Sequence, residues 1–322
     1  MVRFQTTVLM RRSECFATEE RRRCGVSIVE LLVVLAVLGL LAALILPAVQ
    51  SSREGARRMR CLSNLHQIGL AVTSYAEVYS TLPSDGGSAR QSFHVRLLPF
   101  TENDQLYSEI DFSVAIDSQA AIATRRPEFL NCPSDPVADG TRAFNSYSGN
   151  AGWLAKGTSS PDIAPGSETI ATGVIVPLAW GVVRPGDISD GMSTTALVCE
   201  TLPANGQSLR RVVWQEAPSS LPTYHRPPDV IANDCFSATS WGHMARGAVW
   251  CRSGYGVTLY EHSLPPNSRN CVWAYPAMSE HSADGVNLAY CDGSVKFVSS
   301  SISSTLWAGM GTRNGSEHIS RE

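Results

Sequence analysis

From Val26 to Leu46 only Ser27, Glu30 and Gly39 interrupt an otherwise continuous run of Val, Leu, Ile and Ala. Those 21 residues, rising 1.5 Å each, make a helix of about 31 Å against a bilayer hydrocarbon core of about 30 Å. The run therefore predicts a membrane-spanning helix. Beyond Pro47 the pattern changes to Met59, Leu62, Leu65, Ile68, Val72, Tyr75 and Tyr79, spaced by three or four residues with polar side chains between them. That period predicts an amphipathic helix whose apolar stripe covers the protein's own sheet. It ends before Pro83, giving about fifty helical residues and roughly 80 Å in all, with a bend at Pro47.

After Leu82 the helical period disappears and short apolar runs alternate with Gly, Pro, Asn and Asp. Strands are expected at Phe93–Leu98, Gly173–Val183, Thr195–Glu200, Arg211–Gln215, Gly247–Cys251, Gly256–Tyr260, Val286–Tyr290 and Ser294–Val298. Short helices are expected at Asn103–Tyr107 and Ser301–Met310. Asp292-Gly293 between two strand runs reads as a hairpin turn, and Asp190-Gly191 as a turn ahead of another strand. Gly157–Gly173 and Ser219–Pro228 read as loops. The fold class is α+β: a long N-terminal helix packed on a mainly antiparallel, β-rich domain. The segments are residues 1–25, 26–46, 47–82 and 83–322.

Charge and cysteine content narrow the function. The 322 residues carry a net charge of −3, too little basic surface for nucleic acid to be the main partner. Arg21, Arg22 and Arg23 precede the span, but Arg53, Arg57, Arg58 and Arg60 follow it, so flanking charge does not set its orientation. No Cys-x-x-Cys pair occurs among nine cysteines. Seven lie beyond the span, enough for three disulfides and one thiol outside the cytoplasm, with a bridge among Cys235, Cys251 and Cys271 as one option.

Glu30 is the telling residue of the span. A carboxylate in an apolar membrane helix costs about 2.5–3.5 kcal/mol on insertion scales and is normally kept for function. Gly25-Val26-Ser27-Ile28-Val29-Glu30-Leu31-Leu32-Val33-Val34 resembles the cleavage and methylation motif of type IV pilins and type II secretion pseudopilins. The resemblance implies that prepilin peptidase cuts between Gly25 and Val26 and methylates the new amino group, although Val26 stands where the family usually has Phe. Glu30 would then be the fifth mature residue and Pro47 the twenty-second, a position where pilins often carry a kinking proline. Val26 and Glu30, four apart, share a helix face, so the freed amine lies near the carboxylate. Cleavage removes six basic and three acidic residues and takes the net charge from −3 to −6.

Further stretches are similar to a large family that joins prepilin-type amino ends to a processing-associated His-x9-Asp-Gly domain. They are Met59 to Ala71, Arg96-Leu97-Leu98-Pro99-Phe100, Cys132-Pro133-Ser134-Asp135, Tyr147 to Gly152, and Ile188-Ser189-Asp190-Gly191-Met192-Ser193-Thr194-Thr195. The last are His281 through Gly285 and Asn287 to Asp292-Gly293, and Gly311-Thr312-Arg313-Asn314-Gly315. Two departures stand out: ten residues separate His281 from Asp292, and Thr194 replaces a frequent Asn. The family has no settled biochemical activity, so the likeness implies architecture and address rather than chemistry.

Motifs for catalysis are missing. There is no Gly-x-Ser-x-Gly elbow, no phosphate-binding Gly-x4-Gly-Lys-Ser/Thr loop and no His-Glu-x-x-His. His225, His243, His262 and His281, with Asp229, Asp234, Asp284 and Asp292 and with Ser193 or Ser294, are the types a hydrolytic triad needs, but no local pattern supports one. Cys235, His243 and Cys251 have no standard zinc spacing, and Asp187, Asp190 and Glu200 are carboxylates of a type that can hold calcium. No metal or cofactor is assigned.

The expectation is a non-enzymatic pilin- or pseudopilin-like protein of the inner membrane, single-pass, with a cytoplasmic amino end and a periplasmic domain. Its expected partners are the membrane, prepilin peptidase and pilin-like subunits or secretion machinery. The alternative is a membrane-anchored extracytoplasmic enzyme or glycan-binding module for which the segment is only an anchor.

Overall fold

The computed structural model describes residues 27–135, 143–152, 154–155, 170–202, 213–216, 240–243, 249–268, 275–281 and 284–315. The chain divides into two compact units, Met1–Ser52 and Arg53–Glu322. Helix α1, Ile28–Tyr79, runs through both and continues across Pro47. In the first unit every described residue is exposed. An 18-residue window of this apolar segment has a mean hydropathy of 3.0 with none of it buried. Such a surface needs a nonaqueous neighbour, because contiguous apolar area this large is not left in water.

The start of α1 is capped. Ser27 Oγ accepts from Val29 N at 3.3 Å while Glu30 Oε2 accepts from Ser27 N at 3.0 Å. Two amide donors that the helix itself cannot satisfy are thereby paired reciprocally.

In the second unit α1 buries Cys61, Asn64, Leu65, Ile68, Gly69, Ala71 and Val72; of the stripe expected from the sequence Leu65, Ile68 and Val72 are buried, Leu62 and Tyr75 are partly buried, and Met59 and Tyr79 at its ends are exposed. Short helices follow: α2 at Phe93–Leu97, α3 at Asp104–Ser108 and α4 at Ala120–Ala123. The strands are β1 (Tyr147–Asn150), β2 (Leu154–Ala155), β3 (Ile170–Ala171), β4 (Ala196–Glu200), β5 (Val213–Glu216), β6 (Ser240–His243), β7 (Leu259–Tyr260), β8 (Gly285–Tyr290) and β9 (Val295–Ser299). Helix α5, Ser304–Gly311, follows the last strand. One sheet has the order β7-β1-β4-β8-β9, while β2-β3 and β5-β6 are separate two-stranded ladders. All pairs in the large sheet are antiparallel except β1 with β7, so the sheet is mixed.

Two apolar clusters sandwich the sheet. On one face Leu197, Val198 and Ala289 join Cys61, Leu65 and Ile68 of α1. On the other, Ala196, Cys199, Val286, Leu288 and Tyr290 meet Trp307 of α5. Alternation along β8 sends residues 286, 288 and 290 one way and places Asn287 and Ala289 on the α1 side. In β4 the register shifts between Ala196 and Val198, which puts Leu197 and Val198 consecutively on one face, as a bulge does.

Several strand expectations are corrected. Phe93–Leu98 is helix α2 and the start of a 3-10 turn. Its alternating apolar residues fit a strand, but His94 is buried too, and Asp85 Oδ1 accepts Phe93 N at 2.9 Å at the helix start. Gly173–Val183 is irregular, with Val174, Ile175 and Val176 buried and a 3-10 turn at Leu178–Trp180. Gly256–Tyr260 is strand only at Leu259–Tyr260, and Val249–Cys251 lies in a turn, residues 247 and 248 being outside the described residues. Ile170–Ala171, read as loop, pairs with Leu154–Ala155. The loop at 219–228 lies outside the described residues. The hairpin at Asp292-Gly293 forms as expected: Tyr290 N donates to Ser294 O at 2.8 Å, and Gly293 adopts φ +82°.

Candidate functional site

The end of β4 places a carboxylate in the protein interior. Glu200 is 2% exposed, and its Oε2 accepts Asn287 N at 2.8 Å while Oε1 accepts Asn287 Nδ2 at 2.9 Å. His281, from the loop ahead of β8, sets Nε2 3.1 Å from Glu200 Oε1. Its Nδ1 lies 3.5 Å from Oε1 of Glu54 on α1, whose other oxygen takes Arg57 at 2.6 Å. Helix, strand and loop are thus joined through one imidazole.

Beside that imidazole Cys61 and Cys132 form a disulfide, and Cys132 Sγ is 3.9 Å from His281 Nε2. Asn64, three residues past Cys61, donates to Asn131 O at 2.8 Å and to Tyr147 OH at 3.2 Å. Cys132 N donates to Ser146 Oγ, which in turn donates to buried Asp135. A small pocket opens here, lined by Cys132, Asp135, Ser146, Glu200, Met278 and Ser279 among others.

Burial by itself would lower the His281 pKa, but hydrogen bonds and charge from Glu200 and then Glu54 outweigh it and raise it. Burial would raise Glu54; Arg57 and His281 outweigh that and the net shift is downward. Tyr147 is pushed well above its usual value by burial first and by the Glu200 charge second. The arrangement favours a charged imidazole held between two carboxylates.

The predicted residues divide among three places. Cys132, Asp135, His281 and Asn287 converge in the buried cluster, with Pro133 exposed beside it. Asp190 and Gly191 form a turn whose Asp190 Oδ2 accepts from Thr312 Oγ1 at 3.1 Å and Gly315 N at 2.7 Å, so two motif stretches far apart in sequence meet. Asp292 and Gly293 form the β8–β9 turn; Asp292 N reaches Met192 O, and His66 Nδ1 lies 3.2 Å from Gly293 O. Gly285 is needed where it stands, since a Cβ there would come within 2.2 Å of Val298 O. Ser193 is exposed. Gly25 and Val26 lie outside the described residues, as do Cys235, Cys271, His225, Asp229, Asp234 and the side chain of His243.

Of the triad candidates that are described, His262 is held by Tyr260 OH at 2.8 Å and Trp307 O at 2.7 Å, and burial depresses its pKa to about 3. The calcium candidates have different partners: Asp187 Oδ2 accepts Arg184 N, Asp190 ties the C-terminal segment, and Glu200 holds His281. The ladder from Gly285↔Ser299 to Ala289↔Val295 is in unbroken register, so the ten-residue spacing from His281 to Asp292 is accommodated without a bulge in β8. Sequence reading missed Glu54 and did not single out Cys61 and Glu200 as a pair with His281. The one signal was an acid closing an otherwise apolar strand, Ala-Leu-Val-Cys-Glu.

Two family models match the chain. Residues 50–305 match the model described as protein of unknown function (DUF1559), and residues 21–46 match the prokaryotic N-terminal methylation motif. No curated protein and no solved structure matches the chain.

Proposed function

Because the chain belongs to the DUF1559 family and carries a prokaryotic N-terminal methylation motif ahead of that domain, we propose that it is a non-enzymatic, pseudopilin-like subunit of a type IV pilus or type II secretion-like assembly. It is a prepilin-type, membrane-anchored protein. In this reading prepilin peptidase acts on it at Gly25-Val26, the amino end faces the cytoplasm across the inner membrane, and the sheet domain is periplasmic. The observation that carries the reading is Glu30, the one ionisable residue in the apolar segment, four residues from the processing point.

Glu30 also caps its own helix, so a test must separate capping from charge. Glu30→Gln retains an acceptor for Ser27 N but has no charge for a neighbouring subunit's amino terminus. Glu30→Gln is expected to abolish in-membrane crosslinking to pilin-like partners while leaving protein level and the thermal transition of the sheet domain unchanged. Undiminished crosslinking would favour the anchor-only reading.

A further inference from the structure

The Cys61 and Cys132 sulfurs, a His281 ring nitrogen and a Glu200 carboxylate oxygen all lie within 4.8 Å of one another, and all four residues are buried. They arrive from four segments: α1, the turn at residues 131–135, the end of β4 and the loop before β8. Tetrahedral Zn²⁺, with Zn–S about 2.3 Å and Zn–N or Zn–O about 2.0–2.2 Å, keeps its ligand atoms about 3.3–3.8 Å apart. His281 Nε2 lies 3.9 Å from Cys132 Sγ and 3.1 Å from Glu200 Oε1. Both edges are already near the length a tetrahedron requires, whereas the two sulfurs, bonded to each other, must separate to reach it.

We propose that the dithiol form of Cys61 and Cys132, together with His281 and Glu200, is a Zn²⁺ site that excludes, and is excluded by, the disulfide. The surroundings are those of a metal site. A zinc-bound imidazole commonly donates its second N–H to a carboxylate, and His281 Nδ1 faces Glu54, itself held by Arg57. The carboxylate ligand is likewise fixed, by the two Asn287 donors. Two sulfurs, one nitrogen and one oxygen make a donor set that zinc accepts, and with four protein ligands the site is closed.

The chemistry balances. A newly made chain already holds both thiols. In the bridged chain an external dithiol is oxidised to its own disulfide, its two electrons break the Cys61–Cys132 bond, and two protons complete the thiols. Zn²⁺ then displaces both thiol protons and the proton on His281 Nε2, forming two Zn–S bonds, one Zn–N bond and one Zn–O bond to the Glu200 carboxylate, with three protons released. Metal and disulfide thereby hold the same segments together in opposite redox states.

The test uses full-length protein extracted in detergent and reduced with a phosphine, which leaves no competing thiol. Co²⁺ serves as the spectroscopic stand-in for Zn²⁺. One equivalent is expected to produce thiolate-to-cobalt charge-transfer and tetrahedral d–d bands, which one equivalent of Zn²⁺ abolishes. The oxidised protein should show none. His281→Ala and Glu200→Gln should each weaken binding at least tenfold. On the wild-type chain alone, Zn²⁺ should protect Cys61 and Cys132 from alkylation, mapped by peptide mass spectrometry, while the other cysteines react as without metal. Absence of thiolate bands, protection of other cysteines instead, or equal affinity in folded His281→Ala and Glu200→Gln would each overturn the site.

Discussion

Replacing both Cys61 and Cys132 with alanine is expected to lower stability by about 4 kcal/mol, the largest effect of any paired substitution here. The bridge spans 71 residues of sequence. In the chain-entropy view, closing a loop of that length removes about 4 kcal/mol of freedom from the unfolded state. For a folded unit of this size the thermal midpoint should drop by roughly 10 °C. Calorimetry of the double variant and of reduced wild type in the presence of a chelator should agree. A shift below about 1 kcal/mol would mean that packing of Leu65, Ile68 and Leu130 alone holds α1 to the turn. If reduced wild type regains part of the loss when Zn²⁺ replaces the chelator, mass action on the native state accounts for it.

The second large effect concerns the buried pair and is asymmetric. His281→Leu leaves the Glu200 carboxylate buried with only the Asn287 donors, and is expected to cost about 3–5 kcal/mol. Glu200→Gln should cost less, because His281 can shed its proton and remain neutral. Combining Glu200→Leu with His281→Leu should cost less than the sum of the two leucine substitutions, because no charge is then stranded. The coupling depends on pH. His281 has a raised pKa in the folded protein, so its stabilising part is complete below about pH 6.5, its ordinary value. That part is lost as pH rises through the higher folded value. Denaturant titrations of the double-mutant cycle at acidic and alkaline pH check this; a coupling that grows toward alkaline pH would contradict the ion-pair assignment.

How far the sequence discloses these features varies by element for physical reasons. The long helix is plain because its apolar run and later three-four spacing have one interpretation. β4, β8 and β9 are plain because β-branched and apolar residues cluster beside Asp-Gly turns. β1, Tyr147-Ser148-Gly149-Asn150, is hidden because an inner strand of mostly polar residues looks like loop until its partners are known. Ser148 pairs with Thr201, and Asn150 Nδ2 reaches Ala196 O and Gly311 O. Helix α2 reads as a strand because Phe93, Val95 and Leu97 alternate as a strand would, while burial of His94 between them breaks the alternation only in three dimensions.

The site was half legible. Cys132, Asp135, His281 and Asn287 stand out through resemblance, but the Cys61–Cys132 pairing and the role of Glu200 depend on juxtaposing residues 71 to 87 positions apart. No local period encodes that. Glu54 was hidden by its surroundings, a charged stretch of helix that reads as solvent-facing until His281 is placed against it.

The central claim, that this is a processed prepilin-type membrane protein, is tested most directly by the intact mass and amino-terminal sequence of the chain extracted from membranes. The account predicts a polypeptide that begins at Val26 and is one methyl group heavier than its sequence requires. A chain that still begins at Met1, or one cut near Ala43 and released from the membrane, would contradict it.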